Sequence, residues 1–149
     1  WFNEKAGLIA ASLDAVSPVV INYSHSSWNP NVLPFFALLL MYLLFVAIEK
    51  EKGWRHFIGV GLLLGITLQL HYLALFLSAI VFFYTFFASW LRSKRMQFTV
   101  LFKRYLQIFL GFLIGFSPFL LFEVRHGFPN IKTIFGGTSG AYFSYSYLG

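Results

Sequence analysis

The sequence predicts an all-α fold, a polytopic transmembrane helical bundle of about five spans. Only 11% of its residues are charged, against roughly 25% in an ordinary soluble domain, while 58% are hydrophobic. Its 20 phenylalanines lie mostly in long uninterrupted runs. A water-soluble chain of 149 residues could not hide that much apolar surface. Strands of a membrane barrel would alternate in short stretches, so the runs are helices, whose backbone polar groups are satisfied within the segment. The absence of cysteine excludes disulfides and thiolate metal sites. The net charge of +6 sits in short loops between apolar runs, which argues against nucleic acid as a partner and marks those loops as topology signals.

All of residues 1–149 reads as part of a single transmembrane domain. The opening Trp1-Phe2-Asn3, with neither an initiator methionine nor a signal peptide, reads as the interior of a longer protein. The first expected span, 6–21, holds Asp14 and ends near Pro18. The second, 32–48, is entered through Pro30 and Pro34, which suit the first turn of a helix. A third apolar stretch, 57–91, would make a single helix of about 52 Å, too long for a hydrocarbon core of roughly 30 Å. Cations flank both its ends, so it must cross an even number of times and fold as a hairpin, with spans 57–69 and 72–91 turning at Gln69-Leu70-His71-Tyr72. The last span is 105–122, and the tail 123–149 is aromatic and rich in Gly and Ser.

Cation placement fixes the threading. Lys5, Lys50, Lys52, Arg55, Arg92, Lys94, Arg95, Lys103 and Arg104, nine of the 11, fall on one side, and Arg125 and Lys132 fall on the other. The positive-inside rule makes the first side cytoplasmic. The outer side then collects Asn22, Tyr23, His25, Trp28, Asn29 and Asn31, the hairpin residues Gln69, His71 and Tyr72, and Glu123, Arg125, His126 and Asn130. Any chemistry belongs at that face, and the inner side carries only helix-end anchors. Small residues at four-residue spacing, Gly61 with Gly65 and Gly111 with Gly115, suit close helix contact, although glycine is common enough in such helices for either pair to arise by chance. Pro118 should kink the last span, since it removes the donor to Ile114.

Each polar candidate has two readings. Arg125 and His126 suit a phosphate, one through a two-pronged charged hydrogen bond and the other through a second donor; alternatively Arg125 snorkels to headgroups and pairs with Glu123. His71 interrupts a long apolar stretch, as a functional residue or as a hydrogen-bonded turn histidine. Asp14 must face the bundle or neutralise itself. Trp28-Asn29-Pro30-Asn31 is an interfacial helix start or a wall of a groove. His25, His71 and His126 follow no metal-ligand spacing, so no metal and no cofactor is expected.

The order of motifs carries a resemblance. Ser17-Pro18, Ser27-Trp28-Asn29-Pro30-Asn31 before Leu33-Pro34-Phe35-Phe36, Gln69-Leu70-His71-Tyr72, Ser117-Pro118-Phe119 and Arg125-His126-Gly127 together cover roughly residues 6–131. This pattern resembles the middle of bacterial GT-C-class membrane glycosyltransferases, in the protein O-mannosyltransferase and aminoarabinose-transferase superfamily. The resemblance implies inverting transfer of a sugar from a polyprenyl-phosphate donor to an acceptor at the extracytoplasmic face of the inner membrane. It implies that Arg125 and His126 lie near the lipid phosphate, with His71, Tyr72, Asn29 and Gln69 near the sugar or carrier. It also implies that the catalytic acid lies on an outer loop preceding residue 1, so that this segment alone is inactive. Two rivals stay open: a transporter or flippase segment with a polar path through Asp14, His71 and Glu123, and a structural membrane subunit.

Overall fold

The computed structural model describes residues 3–25, 29–50, 53–92 and 97–135, and all regular structure among them is helical. The helices are α1 (Glu4–Ala15), α2 (Pro18–Ser24), α3 (Leu33–Glu49), α4 (Trp54–Leu70), α5 (Leu75–Arg92), α6 (Phe98–Arg125) and α7 (Pro129–Phe135). Single 3-10 turns, Asn29–Val32 and Tyr72–Ala74, lead into α3 and α5. Ser27, Trp28, Glu51, Lys52, Lys94, Arg95 and residues 136–149 of the expected tail lie outside the described residues, as do the side chains of Asn29 and Arg92.

Among the described residues, two stretches are long and apolar enough to cross a membrane, Tyr72–Leu91 with 20 residues and Phe98–Arg125 with 28. The pair α1 and α2, bent by 60°, makes a third if it counts as one span. Helices α3 and α4 are apolar but have 17 residues each. That makes each about 25 Å long, short of a core of roughly 30 Å.

Local chemistry accounts for the breaks. Asn3 caps α1 by accepting the Ala6 amide at 2.9 Å. Pro18 drives the preceding Ser17 into extended backbone, so the expected first span becomes two helices with the bend between them. Asp14 is exposed in the last turn of α1, beside that bend, and not turned into a bundle. In the long third stretch the chain leaves the helix at His71, whose backbone is extended, and re-enters one after a single tight turn. Helix α6 begins at Phe98, so Lys103 and Arg104 stand inside it and not in a loop.

The apolar core is read at helical spacing: Leu40, Leu44 and Ile48 on α3, Val60, Leu63 and Leu64 on α4, with Val81 of α5 and Ile108 of α6. The tightest seam joins α4 to α6. A Cβ on Gly61 would strike the carbonyl of Ile108, and one on Gly65 would lie 2.7 Å from the carbonyl of Phe112. Reciprocally, Gly111 lies under the carbonyl of Ile58 and Gly115 under that of Leu62. Both glycine pairs therefore exist because the backbones touch, as close packing in lipid requires. Ile58 and Leu62 advance in step with Gly111 and Gly115, so α4 and α6 run parallel. The same step carries Leu70 and His71 to within about one turn of the level of Glu123. The C-terminal ends of α4 and α6 thus share one end of the bundle, called below the His71 end; Arg104 lies toward the opposite end.

Proline inside α6 is accommodated locally. Pro118 cannot donate to the Ile114 carbonyl, and the Ser117 hydroxyl donates to it instead, at 2.7 Å. The helix runs unbroken through both residues.

Candidate functional site

At the His71 end, α4 closes on a histidine whose ring is held by backbone. His71 Nδ1 accepts the Leu73 amide at 3.1 Å, and the ring lies tilted over Tyr72 with centroids 4.3 Å apart. An Nδ1 that accepts carries no proton, so the neutral ring bears its proton on Nε2, as a donor. Tyr72 is 77% exposed and leaves its phenol available. Gln69 is turned the other way: its Nε2 donates to the Gly115 carbonyl of α6 at 2.7 Å and to the Gly65 carbonyl at 3.1 Å. Its amide group holds the two helices together at the level just below His71.

The second histidine has the opposite polarity. His126 Nδ1 lies 2.9 Å from the Phe122 carbonyl, which can only accept, so Nδ1 is the donor. The ring is stacked on Phe122 with centroids 4.3 Å apart. Its Nε2 is therefore a free lone pair in the neutral ring and a second donor once protonated. Arg125 and His126 are both exposed.

Between them and α7 the chain reverses sharply. Gly127 takes a φ of 73°, and the Phe128 amide returns 2.7 Å to the Glu123 carbonyl, the bond that ends many helices in glycine. Phe128 also has a positive φ, of 63°, a conformation rare outside glycine. Pro129 then opens α7, where its missing N–H costs nothing.

The sequence offered Glu123 as an ion-pair partner for Arg125, and the structure uses it differently. Glu123 is wholly buried. One carboxylate oxygen accepts the backbone and side-chain N–H groups of Asn130, and the other accepts the Ile131 amide at 3.2 Å. The acid of α6 therefore caps the first turn of α7, where carboxylates are favoured. Its sequence signal was present: an acid, then Gly127 and Pro129 as stop and start marks, then Asn130.

Of the other candidates, the turn holding Asn29 packs against α3 and α4. Asn31 Nδ2 donates to the Tyr23 carbonyl at 2.6 Å and ties α2 to that turn. His25 is exposed at the end of α2. Among the described residues no group of three His, Cys, Asp or Glu side chains could hold a metal.

The Arg104 end holds polar contacts that the sequence reading treated as simple anchors. Arg104 Nη1 donates to Ser89 Oγ at 2.7 Å, with its guanidinium over the Phe57 ring. Ser89 donates onward to the Thr85 carbonyl, and Tyr84 donates to Glu49 at 3.3 Å. These bonds link α3, α5 and α6 to one another.

Comparison with known proteins adds the family. No curated protein and no solved structure matches the chain. The family model described as dolichyl-phosphate-mannose-protein mannosyltransferase matches residues 1–122, most of the chain and nearly all of α1 to α6. With apolar helices long enough to span a bilayer and a match of that extent, the chain belongs to the dolichyl-phosphate-mannose-protein mannosyltransferase family, a family of membrane glycosyltransferases of the GT-C type.

Proposed function

We propose that this chain serves inverting transfer of a sugar, of the mannose type, from a polyprenyl-phosphate carrier to an acceptor at the extracytoplasmic face of a bacterial inner membrane. The observation that carries this reading is the parallel run of α4 and α6, which brings His71 and Tyr72 to the end of the bundle where Arg125 and His126 emerge. Nine of the 11 cations lie in segments expected on the other side, which supports an outward-facing His71 end.

Chemically, an acceptor hydroxyl attacks the anomeric carbon on the face opposite the phosphate. The bond from that carbon to the phosphate oxygen breaks, the phosphate leaves with the electron pair, and a carboxylate base takes the hydroxyl proton. Arg125 offers the leaving phosphate two parallel N–H donors, and protonated His126 offers Nε2–H. Such donors act where negative charge grows as the bond breaks. His71 Nε2–H and the Tyr72 phenol face the sugar or the head of the carrier, and the resemblance adds Asn29 to the same group. Gln69 supports that wall by fastening α4 to α6.

The test is transfer from polyprenyl-phosphate-mannose in membranes holding the full-length protein. Arg125→Ala should lower turnover about a hundredfold, the scale of removing one donor from a developing anion, with the amount of folded protein unchanged. Unchanged turnover removes Arg125 from the site. Movement of the lipid across liposomes without any mannosylated product would favour the flippase reading instead.

A further inference from the structure

We infer that Glu123 is a positioning residue for the lipid phosphate, acting through the α6–α7 reversal and not by touching the donor. The inference rests on the proposal that Arg125 and His126 hold the phosphate.

Three observations carry it. A carboxylate that is wholly buried near the end of a membrane helix is costly unless its acceptor sites are filled. Here three N–H groups, all from Asn130 and Ile131, fill them. Those donors sit on the far side of a turn in which Gly127 and Phe128 both have positive φ, and a phenylalanine keeps that conformation only when its surroundings enforce it. Arg125 and His126 stand at the last turn of α6 and at its cap, between the buried acid and α7. The Phe122 carbonyl adds a local anchor for the His126 ring, but no comparable bond among the described residues holds the Arg125 side chain. The backbone at Arg125 is helical, and the Phe128 bond to the Glu123 carbonyl, with the clamp that holds α7 beyond it, keeps that last turn of α6 from fraying. Without the clamp, α7 is free to swing, the reversal relaxes, and the last turn of α6, which carries the two phosphate donors, frays.

A structural role alone would weaken every ligand of the protein, whereas a positioning role is specific to the phosphate. The discriminating probes are polyprenyl phosphate and the corresponding polyprenol, bound to the full-length protein in lipid nanodiscs. Glu123→Gln puts an N–H group against the Asn130 or Ile131 donors. We expect it to weaken polyprenyl phosphate about tenfold, by loosening donors that are worth most when held in place, and to leave polyprenol affinity within about twofold. Adding Asn130→Asp to Glu123→Gln restores a donor–acceptor pair with its polarity reversed and should recover most of the affinity. Asn130→Ala, a change at an exposed position, should reproduce the phosphate-selective loss even if Glu123→Gln fails to fold. Equal weakening of both lipids, or no recovery in the double variant, overturns the positioning role. Loss with Arg125→Ala but none with Glu123→Gln or Asn130→Ala also overturns it, leaving the phosphate site standing. No loss with Arg125→Ala refutes the phosphate site itself.

Discussion

The two ends of the bundle spend their polar groups differently. At the Arg104 end, side chains bond to side chains and backbone of neighbouring helices: Arg104 to Ser89, Tyr84 to Glu49, Tyr105 to the Phe82 carbonyl at 2.8 Å. At the His71 end, Gln69 and Glu123 also join helices, but the two histidines are each fixed by a single backbone atom, and their remaining ring nitrogens, with Arg125 and the Tyr72 phenol, have no hydrogen bond among the described residues. Polar groups consumed in joining helices build a scaffold. Those oriented by backbone but otherwise unspent are what a binding site requires.

Four substitutions sharpen or break that contrast, from the largest expected effect to the smallest. Gly111→Val places a branched side chain against the Ile58 backbone. It should cost several kcal/mol, about 3 or more, and abolish the folded fraction measured by size-exclusion fluorescence, since the seam that sets the two ends in step cannot open to admit it. Arg104→Ala should lower thermal stability by about 1–3 kcal/mol through the lost charged hydrogen bond, while polyprenyl phosphate affinity stays unchanged. A selective loss of affinity would show that the Arg104 end also binds the lipid. His126→Asn keeps a donor for the Phe122 carbonyl but has nothing in place of Nε2, so affinity should fall about tenfold with stability kept, a loss of the size expected for one charge-assisted bond. An unaffected His126→Asn would return that ring to a helix-end role. Ser117→Ala leaves the Ile114 carbonyl unpaired beside Pro118 and should cost about 1 kcal/mol of stability by thermal melting, with no effect on either lipid.

Much of this was legible from residue order. Uninterrupted apolar runs gave the helices, and the length of 57–91 called for a break; α4 ends at Leu70 and α5 begins at Leu75. The glycine pairs marked the seam, but only the structure pairs one with the other and shows that their helices run parallel. Three features escaped the sequence. Pro18 divides residues 6–21 between two helices, because Ser17 before it is pushed out of helical backbone. Arg104 looked like a loop anchor, since a cation near the end of an apolar run reads the same whether or not the helix extends past it. Glu123 stands two residues before Arg125, and positions two apart on a helix do not share a face, so the acid turns inward to α7 while the cation faces out.

The measurement that bears most directly on the account is sidedness. The 149 residues contain no cysteine, so single Tyr72→Cys, Arg125→Cys and Lys50→Cys variants of this segment can each be probed in intact cells with a membrane-impermeant maleimide. The first two should label from outside and the third only after permeabilisation. Labelling of position 72 only from the cytoplasm, or of 72 and 125 from opposite faces, would contradict a single outward site at the joined ends of α4 and α6.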